Sequence, residues 1–184
     1  MTTDEARALM HEWTQSEALR THMECVAACM GAYADKYEPV ERDRWIVAGL
    51  LHDMDYERHP TTKEHPFVAV EHLRSHGDVD EQIIEAILGH AEYSGVSRRT
   101  PMAKALFAVD ELAGFIVACC KVRPNGISDL GPKSVNKKLK DKAFAARVSR
   151  TDIARGIEEL GSEAADHIQM CIGAIRAEAE RLDV

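Results

Sequence analysis

Residues 45–57 read WIVAGLLHDMDYE, and within them Trp45, Ala48, Gly49 and His52 fall at i, i+3, i+4 and i+7. That spacing lines one face of an α-helix, so the apolar stripe that has to be buried carries an imidazole at its end, with Asp53 directly behind it. The stretch predicts a helix over about 40–53, opened by Pro39.

The flanking segments repeat the arrangement. On the N-terminal side, Leu19, His22, Val26, Met30 and Tyr33 share one helical face. On the C-terminal side, His65, Val68, Ala69 and His72 form a stripe, and Ile83, Ala86, Ile87 and His90 form the next. A third runs through Ala103, Leu106, Phe107, Asp110, Ala113 and Val117 and places a carboxylate in the middle of an apolar face. Strand-like alternation is nearly absent, so the fold class is all-α, a single-domain helical bundle. Helices are expected at about 4–13, 16–36, 40–53, 65–76, 80–91, 101–120, 135–147, 151–160 and 162–181, with Gly77 and Gly161 as stops and Pro66 and Pro101 in first turns. The segment 121–132, KVRPNGISDLGP, is the strongest turn cluster and reads as a long loop within one domain.

A buried carboxylate without a partner costs several kcal/mol or takes up a proton, so Asp110 needs a cation or a strong hydrogen-bond network. One inward histidine is usually a hydrogen-bonded core residue. Five successive helices that each turn a His or Asp inward are the set from which a bundle interior builds a metal site. His11, His59 and His76 fall near helix ends or in polar stretches, and His167 lies at the margin of its stripe; none takes a ligand role.

Composition narrows the function classes. The 184 residues are 45 % hydrophobic, enough for one well-buried core. No apolar run approaches the roughly 20 residues of a membrane helix, and the start of the chain is acidic where a secretion signal is basic, so no membrane partner is expected. Five cysteines without a regular framework fit a reducing cytoplasm. Cys25 and Cys29 have the spacing of soft metal ligands, but with no second thiol pair at finger spacing they read as small core residues. A net charge of −8 disfavours nucleic acid as partner. Residues 133–150 stand apart, with seven of the 23 Lys+Arg and one of the 31 Asp+Glu. A homodimer is compatible with a small helical enzyme, although no exposed apolar stripe specifies one.

The adjacent pair in LLHDMDYE, the earlier inward His22 and the later VDELAGF together resemble the H…HD…D pattern of the HD superfamily of metal-dependent phosphohydrolases. The likeness spans about residues 15–150 and is nearest to small standalone HD proteins of the group sometimes labelled HDIG. The segments KEHPFVAVEHL, ILGHAEY, DELAGFIVACCKVRP and NKKLKDKAFA follow in that group's order. One domain is expected over 1–184, with a metal-site core at about 15–120 and C-terminal helices at about 133–184 packed on it. The resemblance implies His22, His52, Asp53 and Asp110 as metal ligands, with His65 and His90 joining where two metals are held and Asp53 bridging. His72 competes with His65 for that place. Two departures stand out: Asp55, Tyr56 and Glu57 occupy positions where many relatives carry a lysine or glutamate, and His90-Ala91 replaces the paired histidines of signalling-nucleotide phosphodiesterases.

Imidazoles and carboxylates suit Fe or Mn, with Zn, Mg, Ni or Co also accommodated, as one or two ions. Such ions make hydroxide available near neutral pH and neutralise a phosphoryl oxygen, which is hydrolysis of a phosphoester in a nucleotide or other small phosphorylated metabolite, with Asp53 as the catalytic residue. Arg123, Lys133, Lys137 and Lys138 are the candidate phosphate contacts, against the plainer reading of a solvated helix face. No Gly-rich phosphate cradle is present, so nothing points to ATP-driven chemistry. Two alternatives remain open: a di-iron oxygenase of the same ligand pattern, and a non-catalytic metal-stabilised binding or regulatory domain.

Overall fold

Two 21-residue helices, α2 (Glu17–Tyr37) and α6 (Pro101–Lys121), each roughly 31 Å long, pack against each other at the centre of the molecule. The computed structural model describes residues 1–184 as ten α-helices with no strand, in agreement with the all-α reading. Helix α1 (Thr3–Trp13) lies on α3 (Arg42–Leu51), which lies on α2; α5 (Glu81–His90) and α8 (Arg150–Leu160) flank α6. Helix α4 (Phe67–His76) packs on α5, and α9 (Ala164–Ala177) covers α2 and contacts α7 (Pro132–Leu139), ahead of the one-turn α10 (Ala179–Leu182).

The helix starts follow from local chemistry. Thr2 and Glu5 form a reciprocal capping box on α1, and Ser16, Asp80, Thr100 and Ser149 each accept a backbone N–H with their side chains. Two glycines set how closely the helices approach. A Cβ on Gly49 would sit 2.6 Å from Ala27 Cα, and one on Gly156 would sit 2.6 Å from Ala108 Cα. Bare backbone at these two points lets α3 settle into α2 and α8 into α6.

One apolar cluster of 43 buried residues runs from Ala6 to Leu182. All five cysteines are buried free thiols within it, so Cys25 and Cys29 are packing residues, and burial pushes the Cys25 thiol up to about 12. No helix is long and apolar enough to cross a membrane.

Three expectations need correction. The helix expected over 135–147 spans Pro132–Leu139 and gives way to a turn-rich loop, because the Asp141 carboxylate accepts the N–H groups of Ala143 and Phe144 at 3.1 and 3.3 Å and so competes with helical hydrogen bonding. The helix expected over 162–181 breaks at Glu178. His167, expected at the margin of its stripe, is fully buried: its Nε2–H donates to Ala108 O at 2.9 Å, and its Nδ1 accepts from the Tyr33 hydroxyl at 2.5 Å.

Candidate metal centre

His22 comes from the second turn of α2, and His52 and Asp53 leave the C-terminal end of α3. His65 precedes α4, His90 ends α5, and Asp110 sits midway along α6. The close α2–α3 contact at Gly49, one turn before His52, brings the first three together. Their polar atoms fall into two groups that share one residue: His22, His52 and Asp53 form the first, and Asp53, His65 and His90 the second, with the donor atoms of each within 4.8 Å of one another.

Asp53 divides between them. Its Oδ2 lies 3.7 Å from His22 Nε2 and 3.6 Å from His52 Nε2, while Oδ1 lies 3.3 Å from His65 Nε2 and 3.4 Å from His90 Nε2. Asp110 Oδ1 joins the first group, 3.0 Å from His22 and 3.5 Å from His52. Three rings are held by their far nitrogens: His52 Nδ1–H donates to Gly49 O at 2.8 Å, His90 Nδ1–H to Ile87 O at 2.5 Å, and His65 Nδ1–H to Asp55 Oδ1 at 2.7 Å. This fixes the tautomer of each neutral ring and aims its Nε2 lone pair at the centre.

The Nε2 atoms then approach in pairs, at 3.3 Å for His22 and His52 and at 3.2 Å for His65 and His90. Lone pairs that close repel, so positive charge has to stand among them as protons or as metal ions. The electrostatics agree. Burial works against a charged imidazole at His52, yet the Asp53 and Asp110 carboxylates beside it push it up to about 9. Burial likewise opposes ionisation of those carboxylates, but the facing imidazoles hold both below the usual carboxylate range. A donor set of imidazole nitrogens and carboxylate oxygens in a pocket that attracts cations fits one or two divalent metal ions.

A family model described as HD domain matches residues 19–114, just over half of the chain. The chain belongs to the HD-domain family. No curated protein and no solved structure gives a significant match. The HD domain so delimited contains all six clustered residues and ends four residues past Asp110.

Within the HD domain, the structure adds a residue that the sequence did not single out as part of the site. Asp55 is fully buried, with Oδ1 accepting from His65 and Oδ2 accepting the Ala69 N–H at 2.7 Å, so it ties the His65 ring to the start of α4. Its signal was the second aspartate of HDMD, which lies beyond the end of α3 where helical periodicity no longer reports burial. His72, the alternative to His65, sits away from the cluster in a tilted stack between Trp13 and His76.

The cluster forms the floor of a cavity of about 580 Å³ whose walls include Leu19, Tyr56, Tyr93, Glu111, Arg147 and Asp152. That volume lies within the range of small-molecule sites. Glu111, next to Asp110, accepts the Ser149 N–H at 3.0 Å; burial and then the Asp110 charge raise it to about 7.

The expected phosphate contacts are not brought to this cavity. Arg123 lies beyond the end of α6, roughly three and a half helical turns along the chain from Asp110, and pairs with Asp129 at 2.8 Å. Lys138 lies over the Phe144 ring at 4.4 Å, Lys133 and Lys137 are exposed, and none of the four lines the cavity. Arg147 does, and it went unnoticed because it falls in the segment read as helix.

Proposed function

We propose that this HD domain hydrolyses a phosphoester of a nucleotide or other small phosphorylated metabolite at a centre holding two divalent metal ions. The observation that supports this best is the Asp53 carboxylate, whose two oxygens face separate histidine pairs. Metal ions held there lower the pKa of water and neutralise charge on a phosphoryl oxygen.

In this reading His22, His52 and Asp110 would hold one ion and His65 and His90 the other, with Asp53 available to both. The chain's own contribution is positional. Gly49 O, Ile87 O and Asp55 lock three rings, so the donors keep their geometry without reorganising during reaction. Asp53, reaching both groups, helps to place the attacking water beside the scissile bond, and the cavity of about 580 Å³, with Tyr56 and Leu19 in its wall, is large enough for a small phosphoester.

Metal content and turnover on a phosphomonoester panel, measured for the wild type and Asp53→Ala, test the proposal. The expected result is about two equivalents of metal and measurable hydrolysis in the wild type, both lost in Asp53→Ala while the helical circular-dichroism signal persists. Unchanged turnover in Asp53→Ala would sink the assignment. Iron content with substrate-dependent oxygen uptake would move the reading to the oxygenase, and chelator-sensitive melting without turnover would move it to the binding domain.

A further inference from the structure

We propose that Arg147 binds the phosphoryl group of the substrate, presented by a braced loop, and that the cavity accepts one anionic group on an otherwise uncharged or cationic molecule. The substrate part of this inference rests on the hydrolase reading; the anion-binding role of Arg147 stands on the geometry below.

Among the lysines and arginines, Arg147 alone lines the cavity. In a chain of net charge −8 its guanidinium makes no ion pair and no hydrogen bond. The only other arginine in that position is Arg99, which lines a different surface hollow. An exposed arginine surrounded by acids and left without one is available to an incoming anion.

The backbone that presents Arg147 is built around a second arginine. The Arg150 guanidinium donates to Ala145 O at 2.6 Å, Val148 O at 2.8 Å, Asp141 O at 3.3 Å and Phe144 O, and it lies over the Phe115 ring at 4.9 Å. Phe144 packs edge-on against Phe115, so the loop is seated on α6 from within. Ala145 takes the left-handed conformation, φ 43°, inside this carbonyl ring. The Ser149 N–H then ties the end of the loop to Glu111, the neighbour of Asp110. Residues 141–149 are thereby tied to α6 beside the centre, and Arg147, the cation they contribute to the cavity wall, has no other partner. Arg150 is a positioning residue.

The rest of the wall limits the substrate. Glu111 and Asp152 are acidic, and Glu92 is engaged by Arg98 and Arg155. One arginine together with the metal ions matches a single phosphoryl or phosphonyl group; a second anionic group would find no further cation in the wall and would face the Asp152 carboxylate. Tyr56 and Tyr93, both partly exposed, offer flat apolar surface to the body of the molecule.

The test is calorimetric titration of inorganic phosphate into metal-loaded wild type, Arg147→Gln, Arg150→Met and Arg99→Gln, with KM and kcat for a neutral-alcohol phosphomonoester and a nucleoside triphosphate. Arg147→Gln should weaken phosphate binding by roughly 10- to 100-fold, as expected for losing a charge-assisted contact, and raise KM in proportion with a smaller change in kcat and unaltered metal content. Arg150→Met should show the same KM-weighted defect, and Arg99→Gln should behave as wild type. Phosphate binding that depends on Arg147 without turnover would leave the anion site standing and remove the hydrolase reading. Turnover with KM and phosphate binding unchanged in Arg147→Gln would overturn the anion site and leave hydrolysis in place. A wild type that binds no phosphate overturns the anion site, and one that prefers the triphosphate overturns the substrate limit.

Discussion

Asp55 shows how much of a metal site can rest on a residue with no ligand role. Both of its oxygens are committed, one to His65 and one to the Ala69 amide, and the side chain is closed to solvent. Asp55→Asn keeps the volume but places an amide where two N–H groups need acceptors, so one of the two contacts is lost. Partners of this kind commonly contribute about 10- to 100-fold in metal affinity. The expected outcome is a weaker second metal equivalent with the first retained, measured by metal titration against a competing chelator; equal affinity at both equivalents would remove Asp55 from the site. The HD pair was legible because it closes a periodic stripe. Asp55 was not, because its burial comes from α4 folding back over the turn.

Between elements, the decisive feature is backbone contact. Gly49 and Gly173 are both helical glycines, and a Cβ on Gly49 would overlap Ala27 while one on Gly173 meets nothing within 4 Å. The same substitution should therefore have opposite signs. Gly49→Ala is expected to destabilise by about 1–3 kcal/mol through overpacking and to disturb metal binding, since His52 lies one turn away. Gly173→Ala is expected to stabilise by roughly 0.5–1 kcal/mol through reduced backbone freedom in the unfolded chain. Urea denaturation midpoints measure both, and a neutral Gly49→Ala would show that the α2–α3 approach is not tight. At this scale periodicity predicted most helices well, and it failed at 140–149. There the apolar pattern continues, but Asp141 and Arg150 satisfy the backbone in another way.

Across the whole molecule, the centre ties α2, α3, α5, α6 and the approach to α4 through charged and polar side chains inside an apolar bundle. Metal bound by the folded state alone adds stability by mass action, about 2.7 kcal/mol when free metal stands at 100 times its Kd. Removing the metal with a chelator should lower the melting temperature by several degrees, as expected for a shift of that size in a domain of 150–250 residues. The effect should be lost in Asp53→Ala, whose melting point should be chelator-independent. A wild type indifferent to chelator would mean that apolar packing alone holds these helices together. The five buried thiols belong to the single apolar core and take no part in the centre.

The sequence by itself determined the helical class, the inward direction of His22, His52, His65, His90 and Asp110, and the family, because helical period and the HD wording are local properties that need no partner to be read. Only the tertiary structure decided that Asp53 stands between two histidine pairs, that Asp55 locks His65, and that the cation lining the cavity is Arg147 and not Arg123 or the lysines of α7. Each of these depends on where distant segments meet. The contact at Gly49, the fold-back of α4 and the carbonyl ring around Arg150 set those meetings, and periodicity carries no information about them.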